Sequence, residues 1–110
     1  MADDAKFKIE DTEVGEGAEV TTGDRITIHY HGTLEDGTVF DSSVERGSPF
    51  QTRIGVGEVI EGWDMGVPGM KVGGKRKLTI PAKLAYGDRA VGSIPAGSTL
   101  IFEVELVGIV

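Results

Sequence analysis

The chain has 110 residues, a formal net charge of −7 and no cysteine. That length fits one domain with its own core, and a chain without cysteine forms no disulfide, thiolate nucleophile or cysteine-ligated zinc site. A net acidic protein is poorly suited to binding nucleic acid through a broad basic surface. Glycine, at 17 of 110 residues, indicates many turns and little long helix.

The acidic residues concentrate at the N terminus, where residues 1–24 carry eight acidic side chains and two basic ones. We interpret this stretch as a solvated, solubilising edge. The first residues, MADDAK, include no hydrophobic run and do not predict a secretory signal, and no apolar segment is long enough to span a bilayer. We therefore expect a cytoplasmic protein in which residues 1–110 form a single domain, with residues 1–5 as a flexible tail.

Alternation of apolar and polar residues predicts most of the secondary structure as strands. In chain order these are a weak strand over 6–14, a strong one through Ile26, Ile28 and Tyr30, short ones at 39–40 and 50–54, one through Leu78 and Ile80, and a C-terminal one over 100–107. Glycine-containing turns separate them. The Asp36-Gly37 pair between two of these runs predicts a β-hairpin.

Only one segment, residues 58–67, has a helical pattern, because Ile60, Trp63 and Val67 recur at i, i+3 and i+7. Its short length and two glycines make it a poor helix in isolation, so we expect it to lie against the sheet. The sequence thus predicts an α+β domain in which an antiparallel sheet packs on one short helix.

Motifs for phosphate, metal or nucleophile chemistry are missing from the sequence. Gly55 and Gly57 precede the predicted helix, but the third glycine of a dinucleotide-binding loop would fall at Ile60. No P-loop, H-E-x-x-H or G-x-S-x-G motif occurs. If the protein is an enzyme, its reaction needs neither a nucleophile nor a metal.

Two smaller groups of residues allow a functional or a purely structural interpretation. His29 and His31 share one face of a predicted strand and could chelate a metal, but no third ligand is evident, so we favour two solvent-facing histidines. The one basic cluster comprises Lys71, Lys75, Arg76 and Lys77. It straddles a predicted Gly73-Gly74 turn, and we favour an edge kept soluble by charge over a phosphate site.

A series of separated motifs runs through almost the whole chain: Ile28-His29-Tyr30, FDSS at 40–43, GVGEVIEGWDMGVPGMKVGGKRKLTIP at 55–81, AYG at 85–87, IP at 94–95 and LIFEVEL at 100–106. Together, over about residues 7–110, they resemble the FKBP-type (tacrolimus-binding) peptidyl-prolyl cis-trans isomerases in their minimal, single-domain form. The resemblance implies a curved, half-open antiparallel β-sheet wrapped around one short α-helix. It also implies an apolar pocket between the two, with Trp63 as its floor.

The resemblance also identifies the residues expected in this pocket. It implies catalytic roles for Tyr30, Phe40, Asp41, Trp63, Tyr86 and Phe102. It implies substrate-binding roles for Arg46, Phe50, Val59, Ile60 and Ile94. In this assignment the Ile60 N–H and the Tyr86 hydroxyl bind the substrate, and Asp41 is an acceptor held by Tyr30 and Arg46.

The activity implied by the family is acceleration of rotation about X–Pro peptide bonds, which assists protein folding and uses no cofactor or metal. The expected partners are proline-containing polypeptides and tacrolimus or rapamycin, with no nucleic acid or membrane, and the protein is expected to be a monomer. The loop over 87–99 departs from the family pattern and places Asp88 and Arg89 beside the pocket. Two alternatives remain open: a non-catalytic module that binds proline-containing loops or macrolides, and a metal-binding accessory protein that uses His29 and His31.

Overall fold

Six antiparallel strands build the fold of residues 7–110, which are the residues that the computed structural model describes. The strands are β1 (Lys8–Glu13), β2 (Arg25–Leu34), β3 (Val39–Ser42), β4 (Phe50–Arg53), β5 (Lys75–Ile80) and β6 (Leu100–Ile109). They form one sheet in the order β1-β5-β6-β2-β3, with β4 also paired to β2. All the predicted strands are confirmed, whereas the predicted tail over residues 1–5 lies outside the described residues.

The two ten-residue strands, β2 and β6, form the centre of the sheet, paired from Ile26 with Ile109 to Leu34 with Leu100. Their alternation predicted one apolar face, and burial in the structure alternates in the same register along both strands. The buried face belongs to the main core, whose largest fully buried side chains include Ile26, Ile28, Ile54, Leu78, Ile80, Leu100 and Leu106. This open antiparallel sheet, packed on a short helix, confirms the predicted α+β class.

Helical structure is shorter and more divided than the sequence predicted. The helix expected over 58–67 is α2, Glu61–Gly66, preceded by a loop. The expectation of a single helical segment is wrong, because a one-turn helix α1 follows β3 at Ser43–Arg46 and a 3-10 helix lies at Ala82–Leu84. Helix α1 begins where the Ser42 hydroxyl accepts the Glu45 N–H, and it ends at Gly47, which has a φ of 73°. These short elements depend on local capping, which a periodicity of apolar residues does not reveal.

Helix α2 approaches the sheet closely because it presents glycines to β5. A Cβ atom on Gly62 would stand 2.5 Å from the Ile80 side chain, and one on Gly66 would stand 2.8 Å from Leu78. The two glycines that weaken the isolated helix therefore serve its packing. None of the helices formed by residues 7–110 is long and apolar enough to cross a membrane.

The two histidines of β2 form hydrogen bonds that we did not predict. His29 and His31 are half-buried, and their Nδ1 atoms lie 2.9 and 3.0 Å from the hydroxyls of Ser43 and Ser42, so a purely solvent-facing pair is wrong. No group of three or more metal-ligating side chains occurs among the described residues.

One member of the basic cluster, Arg76, is also not a solvated charge. Its side chain is only 10% exposed, and it binds Asp11 together with the carbonyl oxygens of Gly66 and Pro68. Arg76 therefore joins β1, β5 and the C-terminal end of α2, and the prediction of a purely solubilising edge is wrong for this residue.

Candidate active site

A cavity of about 450 Å³ opens between the sheet and α2. Nine of the eleven residues predicted for the pocket line it: Tyr30, Phe40, Asp41, Phe50, Val59, Ile60, Trp63, Tyr86 and Phe102. They come from β2, β3, β4 and β6, from α2 and from two loops, so only the tertiary fold brings them together. Two further lining residues, Gly57 and Glu58, were not predicted.

Trp63 occupies the centre of a group of aromatic rings. It projects from α2, is 4% exposed, and meets Phe102 and Tyr30 edge to face, with ring centroids 5.2 and 5.3 Å apart. Phe50 adds a third edge-to-face contact at 6.2 Å. The indole N–H of Trp63 is buried and has no acceptor within residues 7–110, so packing alone holds this ring. Such perpendicular contacts are the favoured geometry of aromatic pairs, and here they fix the shape of the cavity.

Phe40 forms a second wall, and a missing side chain on β2 makes room for it. Its ring is perpendicular to that of Phe102, with centroids 5.4 Å apart. Gly32 lies beneath both rings: a Cβ atom there would stand 2.6 Å from the Phe40 Cζ and 3.0 Å from the Phe102 Cε1. A glycine at this strand position is thus a packing requirement of the pocket.

The polar edge of the pocket is a cluster of three side chains. The Tyr30 hydroxyl donates to Asp41 Oδ2 at 2.6 Å, and Arg46 forms an ion pair with Asp41 Oδ1. Arg46 also donates to the Tyr30 hydroxyl at 3.1 Å, and its guanidinium lies 5.6 Å from the centre of the Tyr30 ring. Arg46 does not line the cavity itself but holds Asp41 and Tyr30 from behind.

These contacts set the charge states of the cluster. Burial alone would raise the pKa of Asp41, but hydrogen bonds from Tyr30 and Arg46 and the positive charge of Arg46 outweigh it, so the pKa lies below its ordinary value. Burial, followed by the hydrogen bond to Asp41, raises the pKa of Tyr30. At neutral pH the edge therefore presents a fixed carboxylate beside a neutral phenol.

The opposite rim is the loop that precedes α2, and carboxylates hold it in place. Asp64 of α2 accepts the N–H groups of Gly55 and Gly57 at 2.7 and 2.9 Å, and Glu58 accepts the Arg53 N–H at 3.0 Å. The backbone hydrogen bond from Arg53, then the hydroxyl of Thr52, lowers the pKa of Glu58. Because the Glu58 carboxylate binds the backbone of β4, residue 58 belongs to this loop, and the helix begins only at Glu61.

Ile60 terminates this rim at the N-terminal end of α2. Its carbonyl accepts the N–H groups of Trp63 and Asp64, whereas its own N–H has no acceptor within the described part of the chain. The Ile60 N–H is thus a backbone donor available at the cavity. No sequence pattern marks Gly57 and Glu58 as pocket residues, because they line the cavity only through the path of this loop.

The remaining wall comes from the segment between the 3-10 helix and β6. Tyr86 lines the cavity and is 38% exposed. Ile94 does not line the cavity: it is 6% exposed, packs in the core and forms a two-bond bridge with Val91. The substrate-binding role of Ile94 stays a prediction.

The sequence and the structure have close counterparts among known proteins. Residues 16–107 match the family model described as FKBP-type peptidyl-prolyl cis-trans isomerase. The chain is 57% identical over 106 residues to FK506-binding protein 1 of Saccharomyces cerevisiae, a match that covers 94% of this chain and 93% of the relative. It is also 57% identical over 100 residues to FK506-binding protein of Neisseria meningitidis, covering 90% of this chain and 92% of that one.

The fold agrees with these matches. The crystal structure of AtFKBP13 superimposes with a TM-score of 0.89 at 46% sequence identity, covering 99% of this chain and 97% of the other. The family match spans β2 to β5, most of β6, helix α2 and every residue that lines the cavity. The chain therefore belongs to the FKBP-type peptidyl-prolyl cis-trans isomerases.

Proposed function

We propose that the aromatic cavity is the site at which the family's isomerase activity takes place and that it receives the proline ring of a substrate peptide above Trp63. Supporting this, the ring of Trp63 is enclosed edge to face by Tyr30, Phe50 and Phe102. A proline ring is apolar, so it gains free energy by leaving water for such a surface. The observation that carries the proposal is this aromatic enclosure, open on one side to solvent.

The same enclosure favours rotation about the X–Pro bond. The planar amide is stabilised by resonance, which gives its oxygen partial negative charge, and the twisted transition state loses that resonance. Water stabilises the planar, polar form more than the twisted form, so a cavity that excludes water lowers the barrier. A 100-fold acceleration requires about 2.7 kcal/mol, a small demand on the difference in binding between the two forms.

Polar groups at the two rims hold the peptide in place in this proposal. The Ile60 N–H and the Tyr86 hydroxyl donate hydrogen bonds to carbonyl groups of the substrate on either side of the proline. The carboxylate of Asp41, fixed by Tyr30 and Arg46, faces the rotating amide. Anchoring the flanking peptide leaves the X–Pro bond as the part that turns.

The test is a coupled peptide assay with an X–Pro substrate, repeated on a proline-limited refolding reaction. We expect the wild-type protein to accelerate both, and Phe40→Ala to lower kcat/KM by on the order of 10-fold, about 1.4 kcal/mol of transition-state stabilisation. Val107→Ala is the matched control, because Val107 lies on β6 outside the cavity and is 47% exposed. An unchanged kcat/KM in Phe40→Ala would assign the activity to another site.

The cavity is also proposed to bind macrolides such as tacrolimus, which is FK506, and rapamycin. The relatives named FK506-binding protein support this proposal. Trp63 is the only tryptophan of the chain, so its fluorescence reports occupancy of the cavity without interference. We expect each macrolide to change this fluorescence at one equivalent and to inhibit the isomerase in the same titration. A macrolide that binds tightly to a protein without isomerase activity would identify the non-catalytic module instead.

For its biological setting we propose a monomer that acts in the cytoplasm on proline-containing polypeptides. Analytical ultracentrifugation tests the monomeric state, and fractionation of the source cells tests the location. A concentration-dependent dimer or recovery with a membrane or secreted fraction would contradict this setting without affecting the proposed site.

A further inference from the structure

One edge of β2 is shared by two short strands, and the pocket tyrosine lies in the gap between them. β4 pairs with β2 as far as Ile28, and β3 pairs with it from His31 onward. At Tyr30 a side chain replaces the strand: the Tyr30 N–H donates to Ser43 Oγ at 2.7 Å, and the Ser43 hydroxyl donates to the Tyr30 carbonyl at 3.2 Å. The backbone of the residue that enters the pocket is therefore fixed by one serine hydroxyl.

The Ser43 hydroxyl is buried and uses its full hydrogen-bonding capacity. Ser43 is 0% exposed, and a third partner, His29 Nδ1, lies 2.9 Å from Oγ on the outer side of the sheet. A hydroxyl has one donor and two acceptor positions. All three contacts are satisfied when Tyr30 and His29 donate N–H groups and Ser43 donates to the Tyr30 carbonyl. A buried hydroxyl with three directional contacts has a single orientation, which makes it a precise attachment point.

Helix α1 connects this attachment point to the polar edge of the pocket. Ser43 is the first residue of α1, Asp41 lies two residues before it, and Arg46 is the last residue of the helix. The Tyr30 side chain then reaches Asp41 and Arg46 through its hydroxyl. Tyr30 is thus bound to the same four-residue helix twice, through its backbone at one end and through its hydroxyl at the other.

We propose that Ser43 is a positioning residue of the isomerase site: by binding both backbone groups of Tyr30 at the start of α1, its hydroxyl fixes the distance between Tyr30 and the Asp41–Arg46 pair. Ser43 does not touch the cavity and acts only through Tyr30. The proposal rests on the roles given above to Tyr30 and Asp41.

Ser43→Ala removes the hydroxyl while leaving the helix start intact. We expect kcat/KM for an X–Pro peptide to fall on the order of 10-fold, because displacement of a pocket group by a fraction of an ångström is enough for such a loss. Ile26→Val is the control for general destabilisation, since Ile26 lies on the same strand, is 0% exposed and does not line the cavity. It should lower the thermal midpoint without this loss of kcat/KM in the folded protein.

Two measurements separate positioning from stability. The carboxyl pKa of Asp41, followed by NMR on the folded protein, should rise toward its ordinary value in Ser43→Ala and stay unchanged in Ile26→Val. The double variant Ser43→Ala/Tyr30→Phe should have the same kcat/KM as Tyr30→Phe alone, because Ser43 acts through the Tyr30 hydroxyl. Ser43→Cys, of nearly the same size with a weaker donor, replaces Ser43→Ala if that variant does not fold.

An Asp41 pKa that is the same in wild type and Ser43→Ala, or additive losses in the double variant, overturns the proposal. Failure of the site assignment itself gives a different result. In that case Tyr30→Phe retains wild-type kcat/KM, whereas the NMR titration still reports on the contact between Ser43 and the Asp41 cluster.

Discussion

Addition of one methyl group at Gly32 tests whether the two aromatic walls need the space that this residue leaves. In Gly32→Ala the new Cβ would stand 2.6 Å from the Phe40 Cζ and 3.0 Å from the Phe102 Cε1. Comfortable contact between carbon atoms requires about 3.5 Å, so the Phe40 ring must retreat by about 1 Å. Phe40 is half-buried and its ring borders the cavity, so the space available to it is the cavity itself.

Two effects on stability oppose each other in this variant. Overpacking in a well-packed region costs about 1–3 kcal/mol, and replacing a strand glycine by alanine returns about 0.5–1 kcal/mol. The net loss is therefore about 0–2.5 kcal/mol, which leaves the protein folded. We expect a clear loss of catalysis in the folded variant, because a pocket wall displaced by about 1 Å reduces kcat/KM by about 10- to 100-fold.

The assay compares kcat/KM for an X–Pro peptide with the midpoint of urea unfolding for the same variant. Gly108→Ala is the matched control: it adds a methyl group to a glycine of β6 that has open space around it. In a Phe40→Leu background, Gly32→Ala should destabilise the protein less, because the closest clashing ring is gone while the close contact with Phe102 remains. Gly32→Ala with wild-type kcat/KM, or with a loss no larger than that of Gly108→Ala, refutes the reasoning.

Three other predictions follow from the described contacts. The pKa of Asp41, measured by NMR, should lie below its ordinary value, and an ordinary or raised value contradicts this. Because solvent screens the ion pair, ionised Asp41 stabilises the fold by less than about 1 kcal/mol. This stabilisation is present above the unfolded-state pKa and is lost as the pH falls through the folded-state pKa. Gly62→Ala should reduce the free energy of unfolding in urea by about 1–3 kcal/mol because of the contact with Ile80, and unchanged stability would show that α2 can move outward. Arg76→Lys should reduce the free energy of unfolding by about 1–3 kcal/mol, because an ammonium group cannot bind Asp11 and two carbonyl groups in the same geometry. Lys71→Ala, at an exposed position of the same cluster, should change it by less than about 0.5 kcal/mol. Equal effects of the two substitutions would contradict the structural role of Arg76.

Local sequence predicted the elements whose side chains repeat with a clear period. The alternation through Ile28 and Tyr30 and the one through Phe102 and Val104 predicted β2 and β6, and both strands are buried in that register. Helix α1 was not predicted, because a single turn is too short for apolar residues to repeat along it. Its ends depend on the Ser42 cap and on Gly47. Sequence patterns therefore specify long, half-buried elements, whereas single turns are specified by individual hydrogen bonds.

For the site, family motifs predicted most of the residues that line the cavity, and the differences concern residues whose position depends on the path of a loop. Ile94 carries the expected motif, yet it packs into the core because the loop closes on Val91. Glu58 lies inside a motif but was not expected to line the cavity. Its place follows from its hydrogen bonds to Thr52 and Arg53, residues of β4.

Composition and pattern alone determined that this acidic, cysteine-free chain of 110 residues is a glycine-rich α+β domain, and its motifs determined its family. Glycine at position 62 illustrates what they left open: in sequence it only weakens a helix, and in the fold it allows α2 to contact Ile80. Likewise, the serine at 43 is an ordinary polar residue until the gap between β3 and β4 makes it the partner of Tyr30. Only the tertiary structure decides such roles, because they depend on which distant backbone groups are brought within a few ångströms of each other.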